Sequence, residues 1–326
     1  MVGLKSTMPT LSGSGNNFKP YYINEFEVIA PLTTDKSGFS KWGKCDRNGI
    51  RYFIKEFLSP VYPDNNVGLS EEIMKSKINQ CNEWFEKQNK LYHAVSKSQT
   101  GNIISPVKFF KSANHFYLVT ELVDNKNDKM TFEMLCRNAE YEQRIILIKT
   151  LAYAFSRLHE NKVVHSDIKP ENLLLKKTID GFYTIKVIDF DSGYLEMNPP
   201  EGEDVQGNLV YDSPEILLSF NECYDKKLSC KTDVFSLGLI FHQILCGEFP
   251  YFSDEYDYIN EAVLDDSEIK LSNSLTADYR ILIERMLARD ADKRPSMKQV
   301  FDEIMNTGKT VLKPSSNKYF KSATSF

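Results

Sequence analysis

In the first third of the chain, apolar residues come in short runs. Phe26–Ala30, Tyr52–Phe57, Ile103–Phe110 and Phe116–Leu122 read as strands. Between the second and third runs, Met74, Ile78, Cys81, Phe85, Tyr92 and Val95 recur at spacings of four, three, four, seven and three, one face of a helix. Ser70 stands where an N-cap belongs, so a long helix is predicted from there to about Val95. From Tyr141 the period becomes helical. Helices are predicted from Tyr141 to about His159, over Val234–Cys246 and Ala277–Leu287, and near Met297–Met305. Two strand-like runs, Asn172–Leu175 and Thr184–Ile188, interrupt them. Strands first and helices after predict an α+β chain with a small strand-rich part holding one long helix, followed by a larger helical part.

Length and composition add bounds. The chain has 326 residues, 41% hydrophobic and 26% charged, ordinary values for a globular protein of two domains or one fold with two lobes. Forty Lys+Arg against 45 Asp+Glu give a net charge of -5, which argues against nucleic acid as the main partner. Cys45, Cys81, Cys136, Cys223, Cys230 and Cys246 contain no C-x-x-C pair and are too sparse for a disulfide scaffold, so reduced thiols in a cytoplasmic setting are expected. Met1–Asn17 lack the apolar run of a signal peptide. The apolar stretch Ile145–Phe155 is too short for a membrane span. Residues 1–20, rich in Ser, Thr, Gly and Asn, read as a flexible arm, and residues 308–326 as a basic tail. After Glu303 no acidic residue occurs, while Lys309, Lys313, Lys318 and Lys321 do.

The chemistry concentrates in V-V-H-S-D-I-K-P-E-N-L-L-L, residues 163–175. Asp167, Lys169 and Asn172 share one short loop: a carboxylate to accept a hydroxyl proton, an ammonium to neutralise a moving phosphoryl group, and an amide oxygen for Mg²⁺. Seventeen residues past Asn172, V-I-D-F-D places Asp189 after an apolar strand, where a hard cation would find a ligand. A lone Asp in a polar loop is ordinarily a turn former, and it is the combination at this spacing that reverses the balance. These segments resemble the catalytic loop H-R-D-x-K-x-x-N and the metal motif D-F-G of the eukaryotic-type protein kinases. Y-F-I-K with Lys55, Ser213-Pro214-Glu215, D-V-F-S-L-G from Asp233 and R-D-A-D-K-R-P from Arg289 extend the resemblance over roughly residues 26–305.

The resemblance implies a bilobal protein-kinase-like fold, with an N-lobe over 21–123 and a C-lobe over 124–307. It implies a Ser/Thr protein kinase acting on a protein substrate with ATP and Mg. Asp167 and Lys169 would be catalytic, Asn172 and Asp189 would hold the metal, and Lys55 would hold the α- and β-phosphates. The backbone of Glu121 and Val123 would meet the adenine edge behind a Thr120 gatekeeper, with Leu174 beneath the ring. Glu215 and Arg294 would form a buried ion pair. His165 and Asp233 would be structural, bracing the loop. For the helix residue that pairs with Lys55, Glu86 is the first candidate, although Gln88 lies closer to the buried stripe.

Four departures qualify that picture. Asp35, Ser37 and Ser40 stand where phosphate-loop glycines are expected; Phe53 replaces a small residue above the adenine; Ser166 replaces the H-R-D arginine; and Asp191 replaces the D-F-G glycine. Glycines let backbone N–H groups approach phosphates, so a pseudokinase or scaffold with weak or atypical nucleotide binding is the alternative. A small-molecule phosphotransferase is disfavoured by the S-P-E segment and Arg294.

Overall fold

The structure, a computed structural model, describes residues 18–35, 40–64, 68, 70–123, 130–202, 205, 207–219 and 228–307. Ser37, Asp124, Cys223, residues 1–17 of the arm and the tail 308–326 lie outside the described residues. Two compact units emerge, one of Met1–Cys81 with Val107–Leu122, the other of Asn82–Pro106 with Val123–Phe326.

The first unit is built on an antiparallel sheet. Its strands are β1 (Tyr21–Ile23), β2 (Phe26–Val28), β3 (Ser40–Arg47), β4 (Ile50–Phe57), β5 (Pro106–Ser112) and β6 (His115–Glu121). They lie in the order β1-β2-β3-β4-β6-β5. Partners directly opposite share a face. The register aligns Gly43, Ile54 and Val119 in one row and Lys41, Glu56 and Tyr117 in another. That face packs Phe26, Val28, Cys45, Ile54, Phe110, Tyr117 and Val119 into one core cluster. Glu56 is buried there because Tyr117 donates its hydroxyl to it at 2.9 Å and Lys41 pairs with it at 3.3 Å. The opposite face carries the rows Trp42–Lys55–Leu118 and Lys44–Phe53–Thr120. The strand predicted over Ile103–Phe110 starts only at Pro106. Ile103 pairs instead with Val187 in the second unit.

The helix α1 (Glu71–Lys97) begins where Ser70 predicts: the Ser70 carbonyl accepts Met74 N–H at 2.9 Å, and its hydroxyl lies 3.4 Å from Ile73 N. Glu71 and Glu72 in the first turn and Lys97 in the last suit the helix dipole.

In the second unit, α2 (Phe132–Asn138) and α3 (Tyr141–Glu160) precede the short strand β7 (Val163–Val164), a 3₁₀ turn at Pro170–Asn172, the hairpin β8 (Leu173–Lys177) and β9 (Tyr183–Val187), and β10 (Tyr194–Leu195). Then come α4 (Pro214–Ser219), α5 (Lys231–Cys246), α6 (Ile259–Leu264), α7 (Ala277–Met286) and α8 (Met297–Thr307). α5 is apolar nearly all round and therefore buried nearly all round, from Thr232 to His242 without a break. Gly238 permits its close approach to α7: a Cβ there would meet Leu287 Cδ2 at 2.9 Å and Met286 Cβ at 3.1 Å. Gly247 ends the helix in the left-handed conformation, with φ 78°. Arg294 and Glu215 form the expected buried ion pair, at 2.7 and 2.8 Å. No helix among the described residues is long and apolar enough to cross a membrane.

Candidate active site

The loop between β7 and β8 is held from below by α5. Asp233, in the first turn of that helix and 1% exposed, accepts three hydrogen bonds. Its Oδ2 takes His165 N–H at 2.9 Å and His159 Nε2 at 3.0 Å, and its Oδ1 takes Ser166 N–H at 3.0 Å. His165 is fully buried. Its Nδ1 accepts Asp167 N–H at 3.3 Å, which leaves Nε2 to donate to the Ile188 carbonyl at 2.9 Å. The imidazole therefore ties the loop to the segment preceding Asp189, in the bracing role expected of it.

Above this support lie the chemical groups. Asn172 donates its amide to the Asp167 carbonyl at 2.8 Å and to Asp167 Oδ2 at 2.9 Å. Lys169 Nζ lies 2.7 Å from Asp167 Oδ2 and 2.9 Å from Oδ1. One carboxylate is thus oriented by an amide and an ammonium, which leaves the Asn172 side-chain oxygen as the atom a cation would take. The β8–β9 register pairs Leu173 with Val187, and Ile188 N–H donates to the Asn172 carbonyl at 3.0 Å. That pairing fixes Asp189 beside the end of the loop. An amide oxygen and a carboxylate suit Mg²⁺, a hard cation that keeps several waters and phosphate oxygens as its remaining ligands.

Two non-glycine residues here adopt left-handed backbone, Ser166 (φ 64°) and Asp189 (φ 63°). Such conformations are costly and persist where surrounding bonds over-determine them. Ser166 is held through its N–H by Asp233, and Asp189 Oδ1 lies 3.4 Å from Asp191 N.

Other expected residues distribute as follows. Leu174 is half-buried and pairs across the hairpin with buried Lys186. Thr120 and Lys55 are buried on one sheet face, and Glu121 and Val123 are half-buried at the end of β6 and beyond. Of the α1 candidates, Glu86 is exposed, whereas Gln88 is 6% exposed on the stripe with Leu91, Tyr92 and Val95, its side-chain oxygen without a partner. Ser40 is buried at the start of β3, and Asp35 is exposed in the turn before it, where Trp42 Nε1 donates to its carbonyl at 2.8 Å. The Trp42 ring stacks on Phe53, centroids 5.7 Å apart and planes 21° apart.

Sequence reasoning passes over Asp212, since an Asp before S-P-E reads as a turn residue. It is 4% exposed, and its Oδ1 accepts Asn208 N–H at 2.8 Å. A Cβ on Gly207 would collide with its carboxyl, so glycine is required there. Burial pushes the Asp212 carboxyl up to about 7. The Asn208 bond opposes this, the charge of Asp167 adds to it, and Lys169 opposes it. A carboxyl raised on folding contributes stability below its ordinary pKa and loses it as pH climbs to the raised value. Asp212→Asn keeps an oxygen for Asn208 and removes the titration. Its stability relative to wild type is expected to grow by ~2–3 kcal/mol between pH 5 and pH 8, read by urea unfolding. A pH-independent difference would show that Asp212 titrates ordinarily.

Comparison with known proteins gives a consistent picture. Residues 70–304 match a family model described as protein kinase domain, a span that begins after β4 and so excludes Lys55. Aurora kinase of Schizosaccharomyces pombe is 27% identical over 293 residues, covering 89% of this chain and 73% of that protein. Calcium-dependent protein kinase 6 of Plasmodium berghei is 28% identical over 270 residues, 79% of this chain and 16% of the relative. Serine/threonine-protein kinase ULK3 of Xenopus laevis is 25% identical over 228 residues, 65% and 47% respectively. The chain therefore spans less than half the length of the last two.

Proposed function

The chain belongs to the protein kinase family, and from that premise we propose that it is a serine/threonine kinase moving the γ-phosphoryl group of ATP, with Mg²⁺, onto a protein hydroxyl. The observation that carries the reading is Asp167 oriented by both Asn172 and Lys169. The substrate oxygen forms the new bond to γ-phosphorus as the bond to the β,γ-bridging oxygen breaks, and Asp167 receives the hydroxyl proton. Lys169 offsets charge on the transferring group. Asn172 and Asp189 would hold Mg²⁺, which neutralises phosphate charge when bound. Lys55 would take the α- and β-phosphates, the backbone at Glu121 and Val123 the adenine edge, and Leu174 the floor beneath the ring. Of the two α1 candidates for steadying Lys55, Glu86 is exposed and Gln88 is buried with its side-chain oxygen unpaired. Incubation with radiolabelled ATP and a generic protein substrate should yield phosphoserine or phosphothreonine. Phosphotyrosine alone would overturn the specificity, and no transfer to any protein would overturn the activity.

One observation favours the second reading, a scaffold with weak nucleotide binding. The register puts Trp42, Phe53 and Lys55 on the same sheet face, and the two rings are stacked on each other. An aromatic pair fills space beside the lysine, and Asp35 adds negative charge in the preceding turn. Wild-type protein is expected to bind ATP weakly. Trimming the pair with Trp42→Val and Phe53→Ala should tighten ATP about tenfold, or ~1.4 kcal/mol, by calorimetry at fixed Mg²⁺ and salt. An unchanged or weaker Kd would show that the rings support the base rather than crowd it.

A further inference from the structure

Beyond α5 the second unit carries a groove of about 700 Å³ that the proposed chemistry does not use. Tyr251, Phe252 and Tyr256 supply aromatic surface, and Glu248 and Asp254 supply negative charge. Its two walls are pinned by one buried residue. His242, fully buried, donates from Nδ1 to the Glu248 carbonyl at 2.9 Å and accepts Ser272 N–H on Nε2 at 2.9 Å. The Tyr251–Lys270 bridge closes the pair, with backbone bonds of 3.0 and 2.8 Å. This is a preformed surface rather than a collapsed loop.

Charge says what kind of partner fits it. Between Asp254 and Glu268 the sequence places seven acidic residues and no basic one. Among the described residues, Asp266 pairs with Arg289 and Glu268 with Lys270, while Glu261 accepts the N–H groups of Asp257 and Tyr258. Of the charged residues that line the groove, Glu248 and Asp254 outnumber Lys270, which is itself held by Glu268, and a cationic segment with aromatic side chains is the complement. The chain itself contains one. Residues 308–326 hold four lysines and no acid, and Lys318-Tyr319-Phe320-Lys321 sets two rings between two charges. Tyr319 lies twelve residues past Thr307. Fully extended, those residues reach about 40 Å, comparable with the ~45 Å diameter of a globule the size of the second unit.

We propose that residues 318–321 dock in this groove within the same chain, the lysines against Glu248 and Asp254 and the rings against Tyr251 and Phe252. The occupant would also lie one ring away from the turn before α4. Phe249, on the groove, packs edge-on against Tyr211 at 5.8 Å, and Tyr211 belongs to the turn that Asp212 and Asn208 hold.

Carbodiimide coupling of the full-length chain, mapped by mass spectrometry, tests this, because it joins lysine to carboxylate without a spacer. Links from Lys318 or Lys321 to Glu248 or Asp254 are expected, weakened at high salt. Tyr319→Ser with Phe320→Ser leaves every linkable group in place and should cut the yield at least fivefold. Unchanged yield in that variant, or tail links spread over other acids, would overturn the proposal. So would links found mainly between differently isotope-labelled copies, which would assign the groove to a second chain.

Discussion

Asp167→Asn should lower the single-turnover rate of phosphotransfer by about 10²–10⁴, or ~3–5 kcal/mol, while ATP affinity stays within about threefold of wild type. The size follows from two losses at one atom. The carboxylate proposed to take the hydroxyl proton disappears, and the replacement amide presents an N–H₂ to groups that are themselves donors. Asn172 Nδ2 and Lys169 Nζ both lie against Oδ2, and Lys169 lies against Oδ1 as well, so an asparagine whose oxygen takes the Oδ2 place turns its N–H₂ on the Lys169 ammonium. Lys169 then loses its partner and the loop its alignment. Rapid-quench transfer with calorimetric ATP binding separates the two effects. A wild-type rate would remove Asp167 from the chemistry, and lost nucleotide binding would show that it acts on the wrong substrate.

The second large effect concerns stability. Arg294 is fully buried. Its guanidinium grips Glu215 through two bonds and also donates to the carbonyls of Ala288 at 2.8 Å and Lys231 at 2.9 Å. It lies over the Phe235 ring at 5.1 Å. Arg294→Met leaves a buried carboxylate and several carbonyls without their donor, an expected loss of ~3–5 kcal/mol. That is a large share of the ~5–15 kcal/mol that holds a typical domain together. Adding Glu215→Gln to Arg294→Met should recover part of the loss, because the orphaned charge goes. Exposed pairs such as Lys298–Asp302 should cost well under ~1 kcal/mol when broken. Urea unfolding of the four proteins checks this, and a loss below ~1 kcal/mol for Arg294→Met would refute it.

Why these two predictions could be framed from residues, and others could not, is a matter of what sequence encodes locally. Asp167, Lys169 and Asn172 lie within six residues, so their proximity is a property of one loop, and spacing suffices to read it. The long helix was equally legible, since Ser70 and the apolar stripe mark its start and its buried side. β3 hides because its positions on the core face are Lys41, Gly43 and Cys45 while Trp42 faces the other way with Ser40, so hydrophobicity does not follow the pleat. The Trp42–Phe53 stack depends on a register between two strands, and nothing local states that register. The burial of Gln88 and the exposure of Glu86 were half legible: the helical wheel favours the glutamine, whereas charge complementarity to Lys55 pulls the reading toward the glutamate. Asp212 was illegible because its significance lies in burial, which one polar residue in a loop cannot announce.

The support of the Asp167 loop by Asp233 has a consequence for how the molecule breathes. Loops at functional sites commonly open on their own, at a small fraction of the cost of global unfolding. Here the N–H groups of His165 and Ser166 end on a carboxylate that belongs to the most enclosed helix of the second unit. Releasing those two amides to water requires either tearing them from a buried charge or dismantling α5. Their deuterium uptake should therefore keep pace with the slowest amides of α5, and not with those of the surrounding turns. The Asp167 segment, although it is a loop, shares the lifetime of the core.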